Sequence, residues 1–150
     1  MKRIVVYVLI LLVVLLIPVE RTDVGKLRPV QSVQIYELHS MIVIETDTGD
    51  RGVGESAVAA LDDLKRTTPA VIYLDTAEYL LLGDGMEDAV ESIREYLKES
   101  VELYYYRGEP ELELVSQYLE IHGSAPRLKM WKKGQQLPVL DCREKHIKIM

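Results

Sequence analysis

The chain has 150 residues, 18 of them Lys or Arg and 24 Asp or Glu, for a net charge of −6. An acidic surface repels phosphate backbones, so nucleic acid is not an expected partner, and an anionic lipid surface would not adsorb it. One cysteine, Cys142, excludes an intrachain disulfide and any Cys-based metal cluster.

Lys2 and Arg3 precede an uncharged run, Ile4 to Val19, whose only helix breaker is Pro18 near its far end. As a helix the run rises ~24 Å, short of the ~30 Å hydrocarbon layer, and flanking Lys and Arg reaching to the headgroups make up the difference. No small-residue cleavage pattern follows, and there is no Cys for lipidation, so an uncleaved anchor over residues 1–19 is favoured over a cleaved signal or a buried helix. Basic residues flank the run on both sides. The compact leading pair favours an N-in orientation, with the folded part outside the cytoplasm. Residues 20–29, with Gly25 and Pro29, read as a linker to a single domain over 30–150.

Val30 to Leu38 and Met41 to Thr46 are β-rich runs around His39-Ser40 and predict a hairpin. Asp47 to Gly52 reads as a polar turn. Glu55 to Arg66 stripes Ala57, Val58, Leu61 and Leu64 along one helix face and stops at Pro69. Val71 to Leu74 is a continuous apolar run, expected to be a strand covered on both faces. Glu78 to Leu82 is a further strand. Asp84 and Glu87 resemble a capping box opening a helix to about Ser100. Val101 to Arg107 alternates as a half-buried strand, with Val101, Leu103 and Tyr105 facing one way. Pro110 starts a third helix with Leu112, Val115 and Leu119 inward, ending at Gly123. Leu128 to Trp131 and Leu137 to Leu140 predict a closing hairpin. The order ββ-α-ββ-α-β-α-ββ gives an α+β or mixed α/β domain: one sheet with about three helices, behind an N-terminal membrane helix.

Gly52-Val53-Gly54-Glu55-Ser56-Ala57 fits G-x-G-x-x-A ahead of a helix, and Asp75 stands where a dinucleotide-binding fold puts its ribose acid. The preceding strand belongs to a hairpin, however, and Asp47, Asp50 and Glu55 crowd the place a pyrophosphate needs. A glycine turn feeding a helix N-terminus is the simpler account. Asp47-Thr48-Gly49 has the D-T-G of aspartic proteases, but Asp50 follows where Ser or Ala belongs, and a half-length chain would have to dimerise to supply the second carboxylate. Asp47, Asp50 and Glu55, with Asp62 and Asp63 nearby, are the oxygen donors available to Ca²⁺ or Mg²⁺, but their spacing matches no ordered calcium loop. His39, His122 and His146 are scattered, and Ser56 lacks the G-x-S-x-G context. Tyr104-Tyr105-Tyr106 reads as one core ring and two flank rings. No cofactor is expected.

From about Ile35 to Gly108 the signals resemble the N-terminal domain of the Ger(x)C lipoproteins of spore germinant receptors. The shared signals are the hairpin, Gly52 to Leu61, the strand pair Val71 to Leu74 and Glu78 to Leu82, an acidic helix over Glu87 to Lys98, and a strand ending Arg107-Gly108. Those proteins are tethered through a lipidated Cys and carry further domains. The resemblance implies a membrane-attached, non-catalytic domain on the outer face of a spore-former's membrane. The expected function is a membrane-anchored binding or assembly module with a partner in the membrane or envelope. The alternative is a small tethered nucleotide-binding domain or enzyme centred on Gly52, Gly54 and Asp75.

Overall fold

A computed structural model describes residues 27–69, 71–143 and 147–150. The expected anchor over 1–19 and most of the expected linker lie outside them. No described helix is long and apolar enough to cross a membrane.

Seven strands form a mixed sheet. β2 (Ser32–Leu38), β3 (Met41–Thr46) and β4 (Arg51–Gly54) make an antiparallel meander. β6 (Tyr79–Leu82), β7 (Glu102–Gly108) and β8 (Val139–Cys142) then run parallel to β2, and β9 (Lys148–Ile149) closes antiparallel to β8. The order across the sheet is β4-β3-β2-β6-β7-β8-β9. Separate from it, β1 (Leu27–Pro29) pairs in parallel with β5 (Val71–Tyr73).

Two cores sandwich this sheet. On one face α1 (Ala57–Thr67) and α2 (Glu87–Ile93) cover Val33, Ile35, Ile44, Leu80, Leu82 and Leu103. On the other, α3 (Leu112–His122) sets Leu112, Val115 and Leu119 against Tyr79, Leu81, Tyr104 and Leu140. All four β6 residues are buried, because a central strand covered on both sides needs apolar residues in both registers. A buried pair, Ser32 Oγ and Ser116 Oγ at 2.7 Å, fastens α3 to β2. It satisfies two hydroxyls that burial would otherwise penalise.

The expected mixed α/β class, the β2–β3 hairpin and three helices are present. Several expectations are corrected. The polar turn ends at Asp50, and Arg51–Gly54 is a strand. Val71–Tyr73 lies outside the main sheet, paired with β1, so the linker expected to run to Pro29 contains a strand. The second helix ends at Ile93 and passes into a 3₁₀ turn, Arg94–Tyr96. Its N-cap is Met86, whose side chain makes no capping bond, so Asp84 does not form the capping box. α3 begins at Leu112, with Glu111 as its N-cap. Leu128 to Trp131 is not a strand: Leu128 and Trp131 plug the first core while Leu128 N–H donates to the Val101 carbonyl at 2.8 Å. The closing hairpin is β8–β9 instead.

Candidate functional site

The two glycines of the G-x-G-x-x-A match lie within β4, at the sheet edge under α1. A Cβ on Gly52 would stand 2.1 Å from the Ala60 carbonyl oxygen, and one on Gly54 would stand 2.4 Å from Ala60 N. Their role in this fold is to let a helix lie directly on a strand. Ser56 caps α1, its Oγ accepting from Ala59 N–H at 3.2 Å. Asp75 is exposed in a 3₁₀ turn (Leu74–Thr76) after β5, in the two-stranded sheet rather than at the end of a main-sheet strand. The neighbouring Thr76 hydroxyl continues the β1–β5 pairing, accepting from Val30 N–H at 2.9 Å. Gly52 and Gly54 therefore face α1, and Asp75 lies in a 3₁₀ turn that follows a strand of the separate two-stranded sheet.

Asp47 ties its turn to the start of β2: Gln31 and Ser32 N–H donate to Asp47 Oδ2 at 3.0 and 3.3 Å. Its Oδ1 is buried without a hydrogen-bond partner among the described residues. Desolvation raises this carboxyl above the ordinary value, against the lowering effect of the backbone N–H groups. Thr48 Oγ1 donates to Asp50 Oδ2 at 2.8 Å. Glu55 is exposed beyond the far end of β4, about 16 Å of extended chain from Asp50. Among the described residues no three His, Cys, Asp or Glu side chains meet in a metal-binding group. Asp63 instead serves the fold. Val53 N–H on the open edge of β4 donates to its Oδ2 at 3.0 Å, which, with Arg66, holds its pKa below the usual value. That carboxylate blunts an edge that could otherwise pair with another strand.

His39 and Ser40 form the β2–β3 turn with φ of 52° and 63°. His122 packs its ring 4.7 Å from that of Tyr118. His146 lies outside the described residues. Tyr104 is fully buried, its hydroxyl donating to Glu102 at 2.8 Å and accepting from Ser124 N–H at 2.9 Å. Tyr105 points to the other face and donates to Glu87, and its pKa is pushed up to about 12 by burial first and that carboxylate second.

The carboxyl ends of the parallel strands carry the concave surface that the sequence did not reveal. β6 leads into α2 on one face and β7 into α3 on the other. Open α/β sheets form ligand crevices where connections diverge in this way. A groove of about 580 Å³ runs between α3 and the β8–β9 hairpin, lined by Leu114, Cys142, Ile147, Glu109, Glu111 and Arg143. Leu114 is 46% exposed, and Ile121, two turns along α3, is 77% exposed. Arg143 clamps Asp141, with Nε 2.8 Å from Oδ1, and holds that carboxyl down at about 2. Burial first, and Asp141 second, push the Cys142 thiol up, so it is a thiol rather than a thiolate at neutral pH.

Across the β7–α3 loop lies a second hollow of about 380 Å³, where Gln34, Tyr36, Glu45, Tyr106 and Glu109 converge. Gly108, with φ of +91°, makes the turn between the two hollows and lines both. The Tyr36 hydroxyl donates to Glu45 Oε2 at 3.1 Å, and the Arg51 guanidinium sits 5.9 Å from the Tyr36 ring centroid. Gln34 is only 7% exposed, with the Tyr106 hydroxyl as its hydrogen-bonding neighbour.

Comparison of the chain with protein families, with curated proteins and with solved structures finds no match to any of the three.

Proposed function

We propose that the chain is a membrane-anchored, non-catalytic binding or assembly module. Residues 4–19 hold it in the bilayer, its folded domain stands on the extracytoplasmic face, and its partner is another membrane or envelope protein. The observation that carries this reading is the α3 groove: an apolar floor at Leu114, Cys142 and Ile147 beside the outward-facing Ile121. Leu114 and Ile121 are i and i+7 on one helix, the repeat by which a helix face anchors a partner. In such contacts a minority of residues, those fully buried near the centre, cost more than about 1 kcal/mol when truncated. Tethering in the same membrane raises the effective concentration of such a partner to the millimolar range, so a modest contact suffices. The likeness of Ile35 to Gly108 to the Ger(x)C domains supports a role related to sporulation or germination, without making the chain itself a germinant-receptor subunit.

Affinity capture of the full chain from a detergent extract tests the reading. The wild type is expected to recover at least one membrane or envelope protein, and Leu114→Asp with Ile121→Asp to lose it. Equal recovery by the double variant, or none by the wild type, counts against the proposal.

A further inference from the structure

The second hollow differs in chemistry from the groove beside it. Its walls are two tyrosine rings, a buried amide and the apolar Leu38 and Pro110, and the ionised side chains that line it are the carboxylates Glu45 and Glu109. Glu45 is held in place by the Tyr36 hydroxyl. Glu109 is exposed and in no ion pair among the described residues. The Tyr36 ring already takes one guanidinium, that of Arg51, within the distance at which a ring quadrupole attracts a cation. A volume of about 380 Å³ is within the range of functional ligand pockets, roughly 300–1,000 Å³.

We infer that this hollow receives a basic side chain, Arg or Lys, of a partner polypeptide whose neighbouring aliphatic residues lie in the α3 groove. The inference deepens the binding-module reading and rests on it for the existence of a partner. Charge complementarity selects the occupant. Among the described residues, Glu45, Glu109 and Glu111 line the two hollows, the cation on the groove wall, Arg143, is engaged with Asp141, Arg51 lies over the Tyr36 ring, and the chain as a whole is at −6. An acidic segment entering here meets like charge. A neutral one leaves Glu109 without a partner as it is desolvated. Tyrosine rings and a carboxylate together suit a planar guanidinium, which stacks and hydrogen-bonds at once. Because Glu109 and Gly108 border both hollows, one residue of an extended segment reaches the acidic hollow while its neighbours cover Leu114 and Ile147.

The test uses the full chain in detergent micelles with ring-labelled tyrosines, observed by NMR. The probes are propylguanidinium, its neutral analogue propylurea, and the peptides Ac-Ile-Arg-Ile-NH₂ and Ac-Ala-Arg-Ala-NH₂. Propylguanidinium is expected to shift the Tyr36 and Tyr106 rings saturably while leaving Tyr73, an exposed ring outside the hollow, unmoved. Propylurea is expected to shift none. Glu45→Gln with Glu109→Gln should weaken propylguanidinium about tenfold, and Glu109→Gln alone, an exposed change that spares the fold, should weaken it measurably. Arg51→Gln, which removes the resident cation, should tighten it. The Ile peptide is expected to bind about tenfold more tightly than the Ala peptide, and Leu114→Asp should erase that difference alone.

Equal binding of propylurea, no saturable shift at Tyr36 and Tyr106, or indifference to the Gln variants overturns the inference. Equal binding of the two peptides overturns the polypeptide occupant in favour of a small-cation site. A partner captured from membranes with equal yield by the Glu45→Gln, Glu109→Gln variant sinks the inference and spares the module. A working titration with no partner captured sinks the module and leaves the cation hollow.

Discussion

Replacing Gly52 with Ala places a methyl carbon 2.1 Å from the Ala60 carbonyl oxygen, 2.5 Å from Leu64 N and 2.6 Å from Leu64 Cβ. Two of these neighbours are helix backbone, so a rotamer change cannot relieve the clash, and α1 must lift off β4. Overpacking a well-filled core costs about 1–3 kcal/mol, and a backbone obstacle puts this site toward the upper end. Against this stands about 0.4–1 kcal/mol gained because Ala restricts the unfolded chain more than Gly does. The net loss is about 1–2 kcal/mol. At about 4 °C per kcal/mol for a domain of this size, Tm falls by roughly 4–8 °C. Thermal unfolding of the full chain in detergent, followed by circular dichroism, reads this directly. A nucleotide-cradle role predicts the reverse: intact stability and a lost response to dinucleotides. A Tm within about 1 °C of wild type would refute the packing argument.

Three further outcomes follow from single contacts. Ser40 holds a positive φ of 63° without being glycine, so Ser40→Gly should stabilise the hairpin by about 1 kcal/mol, read by urea unfolding. Tyr104→Phe leaves Ser124 N–H and the Glu102 carboxylate without the hydroxyl between them and should cost about 1–2 kcal/mol in the same assay. Arg143→Gln should move the Asp141 carboxyl from about 2 toward the ordinary 3.8, followed by carboxyl ¹³C NMR. The folded pKa is depressed, so the pair's contribution to stability is present above about pH 4 and lost as pH falls through about 2, and the variant should lose that dependence.

Sequence pattern carried the reading wherever one local signal decided the structure. Glu78 to Leu82 was legible as a strand, but its central place was not, because the run expected to be covered on both faces was Val71 to Leu74. The alternation from Val101 to Tyr106 told which rings face which way, and Leu112, Val115 and Leu119 marked the inner stripe of α3. Arg51-Gly52-Val53-Gly54 was illegible as a strand because two glycines argue against extended structure, and what demands them is a helix packed from far along the chain. Val71-Ile72-Tyr73 looked like a core strand because local pattern cannot say that its partner is Leu27–Pro29. The helix expected to reach about Ser100 stops at Ile93, and Leu97, buried like Val90 and Ile93, comes from the loop after the 3₁₀ turn. Neither hollow was legible. Gln34, Tyr36, Glu45, Tyr106 and Glu109 come from three separate segments, and only the order β3-β2-β6-β7 sets them side by side.

The central claim, that the α3 groove is where this module meets its partner, can be tested at one atom. Cys142 is the chain's only cysteine and lies in the groove wall. The full chain carrying a photo-crosslinker on Cys142, returned to native membranes and irradiated, is predicted to yield an adduct with another membrane or envelope protein, and Leu114→Asp is predicted to abolish it. Irradiation that gives no protein adduct, or an adduct indifferent to Leu114→Asp, would contradict the account.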